Sequence, residues 1–203
     1  MKWHEAGGGD FEQAPVGTYA ARCIRMIDIG TQRSEYQGQP SIKRQCIIGF
    51  ELPMELMTEG DAKGKPFVVS RFFTASLSKK ANLRRELESW RGRAFTEQEL
   101  MGFESKNIIG KPCMLSLIAN DKGKTRISGI MAMPKGMTIP PQVNPSMYFS
   151  LDEYDAKTFE SLSDGIKKLI QSSPEWLELQ RSPGRALAKD DLEEGFESDE
   201  AAF

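Results

Sequence analysis

Histidine is nearly missing from this chain and cysteine is sparse. His4 is the one histidine in 203 residues, and Cys23, Cys46 and Cys113 lie far apart with no Cys-x-x-Cys pair. A structural zinc site needs four nitrogen or sulfur ligands at close spacing, so none is expected, and the thiols read as free cysteines of a reducing cytoplasm. No stretch approaches 18 apolar residues, which excludes a membrane-spanning helix. The opening MKWHEAGGGDFEQAP has no apolar core of the kind a secretory leader carries. Phosphate-loop, dinucleotide, nucleophile-elbow and HExxH patterns are all lacking. Glu104 and Lys106 form an acid-x-Lys triplet, but chance supplies such triplets freely, and Glu51 and Asp61 show no metal-ligand spacing. The expectation is a protein that is not an enzyme, with no catalytic residue, no metal and no cofactor.

What the chain has in quantity is charge, unevenly placed. The formal net charge is −2, yet the stretch from Asp190 onward holds seven carboxylates and no basic residue. Residues 1–189 therefore carry 27 basic and 22 acidic side chains, a net of +5. A basic body joined to an acidic, Phe-ended segment is a polarised molecule, and the segment charges say more than the overall pI.

Hydrophobic spacing gives the architecture. Gly17–Gly30 and Ile42–Leu52 read as strands, separated by a polar loop, Thr31–Ser41, with Gly38 and Pro40 as breakers. Phe67–Ser76 reads as a third strand. Ala81, Leu83, Leu87 and Trp90 then repeat at helical spacing, between a Ser78 N-cap and Gly92 as the stop. Thr96 and Glu99 fit a capping box. Lys111–Asn120 and Lys124–Met133 read as two more strands around a tight turn at Gly123. Prolines crowd residues 134–146, an extended crossing, and Ser163–Gln171 and Ser173–Gln180 read as helices that dock on the body or on a second subunit. Five strands with a helix between the third and fourth is the wiring of an OB-fold; an SH3-like barrel or another small sheet would suit the same five runs.

Cations and aromatics recur along those strands and the helix. A groove for single strands needs positive charge for phosphates and flat faces for bases. The candidates are Arg22, Arg25, Tyr36, Lys43, Arg44, Arg71, Phe72, Arg84, Arg91, Arg93, Lys124 and Arg126. Phe72 and Phe73 have opposite parity, so one of the two is expected outside the core. Trp90 is expected to pack, with Arg91 and Arg93 presented outward.

The stretches PVGTYAARCIRMIDIGTQ, LSKKANLRRELESWRGRAFTEQEL and IIGKPCMLSLIAN resemble a family of tailed-bacteriophage early proteins similar to single-stranded DNA-binding proteins. The likeness runs from about Pro15 to Pro134. The end of the chain resembles, independently, the acidic tips by which such proteins recruit partners. Asp190, Asp191, Glu193, Glu194, Glu197, Asp199, Glu200 and Phe203 match that tip, with Ala201 and Ala202 where a common bacterial tip has Ile-Pro.

The resemblance implies a five-stranded OB-fold barrel over residues 16–134. Flanking it would be a flexible stretch at 1–15, a proline-rich crossing with helical annex at 135–181 and a flexible acidic tail at 182–203. It implies sequence-nonspecific coating of single-stranded DNA in phage replication or recombination, in the cytoplasm of the infected host, with replication or recombination proteins as partners of the tail. A homo-oligomer is compatible with that role, and a replication adaptor or a strand-annealing protein is the alternative.

Overall fold

The computed structural model describes residues 12–36 and 39–181. Its frame is one sheet, built on a long antiparallel hairpin of β1 (Gly17–Tyr36) and β2 (Gln39–Leu56). β3 (Pro66–Thr74) pairs with β2 on one side; β4 (Pro112–Ala119) pairs with β1 on the other, and β5 (Thr125–Met131) with β4. The order is β3-β2-β1-β4-β5, and a short β6 (Met147–Phe149) joins β1 in parallel at Arg25–Ile27. The five expected strands and the helix after the third are therefore present.

The expected closure is not. The path ends at β3 and β5, and no ladder joins those two strands among the described residues. A side chain occupies the place of a ladder. Helix α1 (Asn82–Arg91) sets the carboxylate of Glu86 between the two edges, where it accepts from Nη1 of Arg71 on β3 and from the backbone N–H of Ile130 on β5, each at 3.0 Å. The N–H of Ile130 is thereby spent on a carboxylate and gives nothing to a β3 carbonyl. The sheet is open, which overturns the expected OB-fold barrel and the resemblance to the phage single-stranded DNA-binding family that implied it.

One irregularity in β1 decides which way its side chains point. Alternation puts Ala21 and Cys23 in a first core with Phe50, Leu115 and Trp90. The register with β2 slips between Cys23 and Arg25, and one extra residue in a strand reverses the parity beyond it. Met26 then faces the first core, and Ile27 and Ile29 face a second. The same sheet thus has an apolar layer on each side at its centre.

The second layer is the underside of the C-terminal helices. Ile27, Ile29 and Ile47 pack with Phe149, Phe159 and Ile170, which come from β6, α3 (Ala156–Ser161) and α4 (Asp164–Gln171). Trp176 of α5 (Pro174–Arg181) stacks on Phe159 at a centroid distance of 4.5 Å. Ser173 caps α5 as its sequence suggests, accepting from the backbone N–H of Trp176 at 3.2 Å. The annex docks on the sheet through a second bulge. Gly30 has φ +69°, and a Cβ there would lie 2.5 Å from Ser173. Only glycine meets both conditions, the left-handed backbone and the close approach.

Two local expectations change. Thr31–Ser41 is not a loop: Thr31–Tyr36 pairs with Gln39–Arg44, extending the hairpin past the rest of the sheet. The polar side chains misled because a two-stranded ribbon has no buried face to impose alternation. Helix α1 begins at Asn82 behind Ala81, with no side-chain cap, so Ser78 is not its N-cap. Gly92 does end it, at φ 69°, and Thr96 and Glu99 do form the capping box of α2 (Glu97–Gly102).

Candidate anion-binding cleft

The expected DNA-contacting residues do not gather on one surface. Arg22 donates to the carbonyls of Gly110 at 2.9 Å and Pro140 at 3.3 Å, so it ties the proline-rich crossing to β1. The parity switch puts Arg25 on the same outer face, half-buried against the backbone of Gly49. Arg84 donates to Glu88 at 2.9 Å and to the carbonyl of Leu77.

Arg91 turns inward, against expectation. Its side chain is fully covered, lies 4.2 Å above the ring of Phe95 and is paired with Glu99. An aromatic face and a carboxylate take the place of water around it. Arg93 stays at the surface and shares the same carboxylate at 2.8 Å. The hydrogen bond from Arg93, then that from the backbone of Thr96, holds Glu99 down to about 2. Lys124 and the exposed Arg126 sit at the β4–β5 turn, away from the others.

Tyr36 ends β1, but its side chain falls outside the described residues, as do Asp190, Asp191, Glu193, Glu194, Glu197, Asp199, Glu200 and Phe203.

Four of the candidates do meet. Lys43 and Arg44 from β2, and Arg71 and Phe72 from β3, line an open cleft of about 690 Å³ that continues over the β3–α1 loop. Strand alternation sends Phe73 into the core and leaves Phe72 exposed over 53% of its surface. Lys80, with Ser76, Ser78 and Asn82, completes the far wall. The sequence reading missed Lys80; its signal was the polar Ser78-Lys79-Lys80 run directly after a strand.

The four cations are not equal. Arg44 is held by Asp28, at 3.2 Å from Nε, and by Asp152 at 2.9 Å, and the hydrogen bond to Asp28 keeps it more firmly protonated than usual. Asp28 in turn accepts from the backbone of Gly30 and Leu151, so it locks the bulge, the annex and β2 to one carboxylate. Arg71 is tied to Glu86 and lies 4.9 Å from the centre of the Phe73 ring. Both arginines form a fixed floor, while Lys43 and Lys80 are exposed. No carboxylate lines the cleft.

Past Arg44, Ala75 and Ser76 the cleft adjoins a second hollow of about 300 Å³. Its walls are mostly apolar, including Met26, Ile48, Leu83, Leu87 and Phe103. The hydroxyls of Ser105 and Tyr148, 3.3 Å apart, mark its polar side.

Among the described residues no cluster of histidine, cysteine or carboxylate side chains could hold a metal ion. No described helix is long and apolar enough to cross a membrane. Glu51, fully buried, accepts from the backbone of Val143 at 3.0 Å and Asn144 at 2.6 Å, which anchors the proline-rich crossing.

No protein-family model matches this chain, and neither a curated protein nor a solved structure matches it. The expectation of nucleic-acid coating rests on a closed barrel, a family likeness and a shared groove of cations and aromatics. The open sheet removes the structural basis for that function and for the annealing and replication-adaptor alternatives attached to it.

Proposed function

We propose that this chain is a binding protein, not an enzyme, and that it takes an extended anionic ligand in the cleft between β2, β3 and the β3–α1 loop. One observation carries this reading: the cleft walls hold four cations, an exposed aromatic ring and no carboxylate. Lys43 and Lys80 supply exposed charge, and Arg44 and Arg71, each already paired with carboxylates, supply a floor of guanidinium N–H donors oriented by Asp28 and Glu86. Hydroxyls of Ser76 and Ser78 and the amide of Asn82 add neutral hydrogen-bonding partners. Phe72 offers a flat apolar face beside them. A cytoplasmic setting fits three unpaired, buried thiols.

The test is fluorescence anisotropy of the full chain with a labelled glutamate peptide. Binding weakens as salt rises, because exposed charges are screened over about 8 Å at physiological ionic strength. Reversing Lys43 and Lys80 together to Glu lowers affinity by about tenfold or more, equivalent to ~1.4 kcal/mol. Arg126→Glu, outside the cleft, serves as the control. An equal loss from that control, or binding indifferent to salt, overturns the proposal.

A further inference from the structure

We infer that the ligand is an acidic peptide with one large apolar side chain, and that this side chain enters the hollow beside Arg44. The inference rests on the anion-binding reading of the cleft and names the class of ligand.

The two cavities share Arg44, Ala75 and Ser76, so a ligand lying in the basic cleft passes the mouth of the apolar one. Their chemistries differ sharply. The outer cleft presents Lys43, Lys80, Arg71 and hydroxyl groups. The inner hollow presents Ile48, Leu83, Leu87 and Phe103, and its charged lining residues are Asp28, Arg44 and Asp152, which pair with one another.

The two carboxylates of the hollow do not repel an approaching anion fully, since Asp28 and Asp152 are both engaged by Arg44. A polymer of phosphates can satisfy the first cavity but has nothing to place in the second. A peptide can satisfy both, because carboxylates and a large apolar side chain alternate freely along one backbone. Burying that side chain removes apolar surface from water and gives affinity that salt does not screen. Recognition of this kind couples a charged rim, which steers approach, to a desolvated anchor, which sets residence time.

Charge complementarity also sets the polarity of the ligand. Acidic residues belong on the Lys43–Lys80 side of the anchor, because Asp152 stands exposed on the other.

The experiment compares two labelled peptides on the full chain, one a run of glutamates ending in phenylalanine and one with alanine in its place. The phenylalanine peptide binds about tenfold more tightly, and the ratio persists at raised salt. Ser105→Phe, which fills the hollow from its polar side, brings the ratio on that variant to about one. In methyl NMR of the unaltered chain, Ile48, Leu83 and Leu87 shift with the phenylalanine peptide and not with its counterpart, which needs no substitution.

Equal affinity for the two peptides overturns the anchor and leaves the anionic cleft standing. A preference that survives Ser105→Phe, with no methyl shifts, places the ring on Phe72 and overturns it too. Polyphosphate or an oligonucleotide that binds more tightly than the phenylalanine peptide overturns the peptide assignment. Binding by no anion overturns the cleft itself.

Discussion

Arg71 on β3 and Glu86 on α1 meet at 3.0 Å, with 26% and 10% of their side chains exposed, and the same carboxylate holds the backbone of Ile130 on β5. This contact joins the two ends of the open sheet through a helix. It also fixes a cation in the floor of the cleft.

Glu86→Ala is expected to destabilise the fold by about 3 kcal/mol, the cost of leaving a largely buried cation and a backbone donor without their partner. Urea denaturation measures it. Exposed Phe72→Ala is the contrast, with a change of at most about 0.5 kcal/mol despite its place in the cleft.

Gly30 and Gly123 separate steric clash from backbone strain. Both have left-handed φ, +69° and +71°, but a Cβ at Gly30 meets Ser173 whereas one at Gly123 meets nothing within 4 Å. Gly123→Ala is expected to cost about 1 kcal/mol, from the dihedral alone. Gly30→Ala should cost distinctly more and expose the backbone of α5 to hydrogen exchange, which mass spectrometry would localise.

Glu99 makes stability depend on acid. Its folded pKa, about 2, lies below the ordinary 4.5 because Arg93 and the Thr96 backbone stabilise the carboxylate. A depressed pKa contributes stability that is complete above the unfolded value and lost as pH falls from about 4.5 through about 2. Glu99→Gln should make the fall in urea midpoint over that interval shallower, leaving the part due to Glu12, Glu88, Asp155 and Glu175, whose carboxyls are also held down, and should leave its slope at neutral pH unchanged.

The cysteines should be silent until the chain unfolds. Burial pushes Cys23 and Cys46 up to about 12 and raises Cys113 well above its ordinary range. Since the thiolate is the nucleophile, a chromogenic disulfide reagent at pH 8 should label none of them in native buffer and all three in denaturant. Rapid native labelling of any one would show that its packing is open.

Much of this fold is written in local patterns. Leu87 and Trp90 mark the buried stripe of α1, Gly92 its end, and Thr96 with Glu99 the start of the next helix. Alternation separated Phe72 from Phe73. What could not be read depends on partners distant in sequence. Whether the sheet closes turns on the donor at Ile130, which no neighbour of Ile130 announces. The inward turn of Arg91 needs Phe95 and Glu99 in their folded places. Six-residue α3 and three-residue β6 are too short to carry a period.

The candidate cleft was half legible. Lys43, Arg44, Arg71 and Phe72 were named, but so were eight residues that lie elsewhere or outside the described side chains. Charge type is visible in a sequence; the carboxylates that neutralise most of these arginines become neighbours only on folding.

The bulge after Cys23 has a consequence in time. It turns Ile27 and Ile29 toward a layer completed by Phe159 and Ile170, more than a hundred residues later in the chain. Synthesis runs from the N-terminus, and early segments can fold before late ones exist. The back of the hairpin therefore stands bare while most of the protein is still being made. The annex is the chain's own late-arriving cover for that surface, and a chain truncated before Phe149 would carry an uncovered isoleucine face.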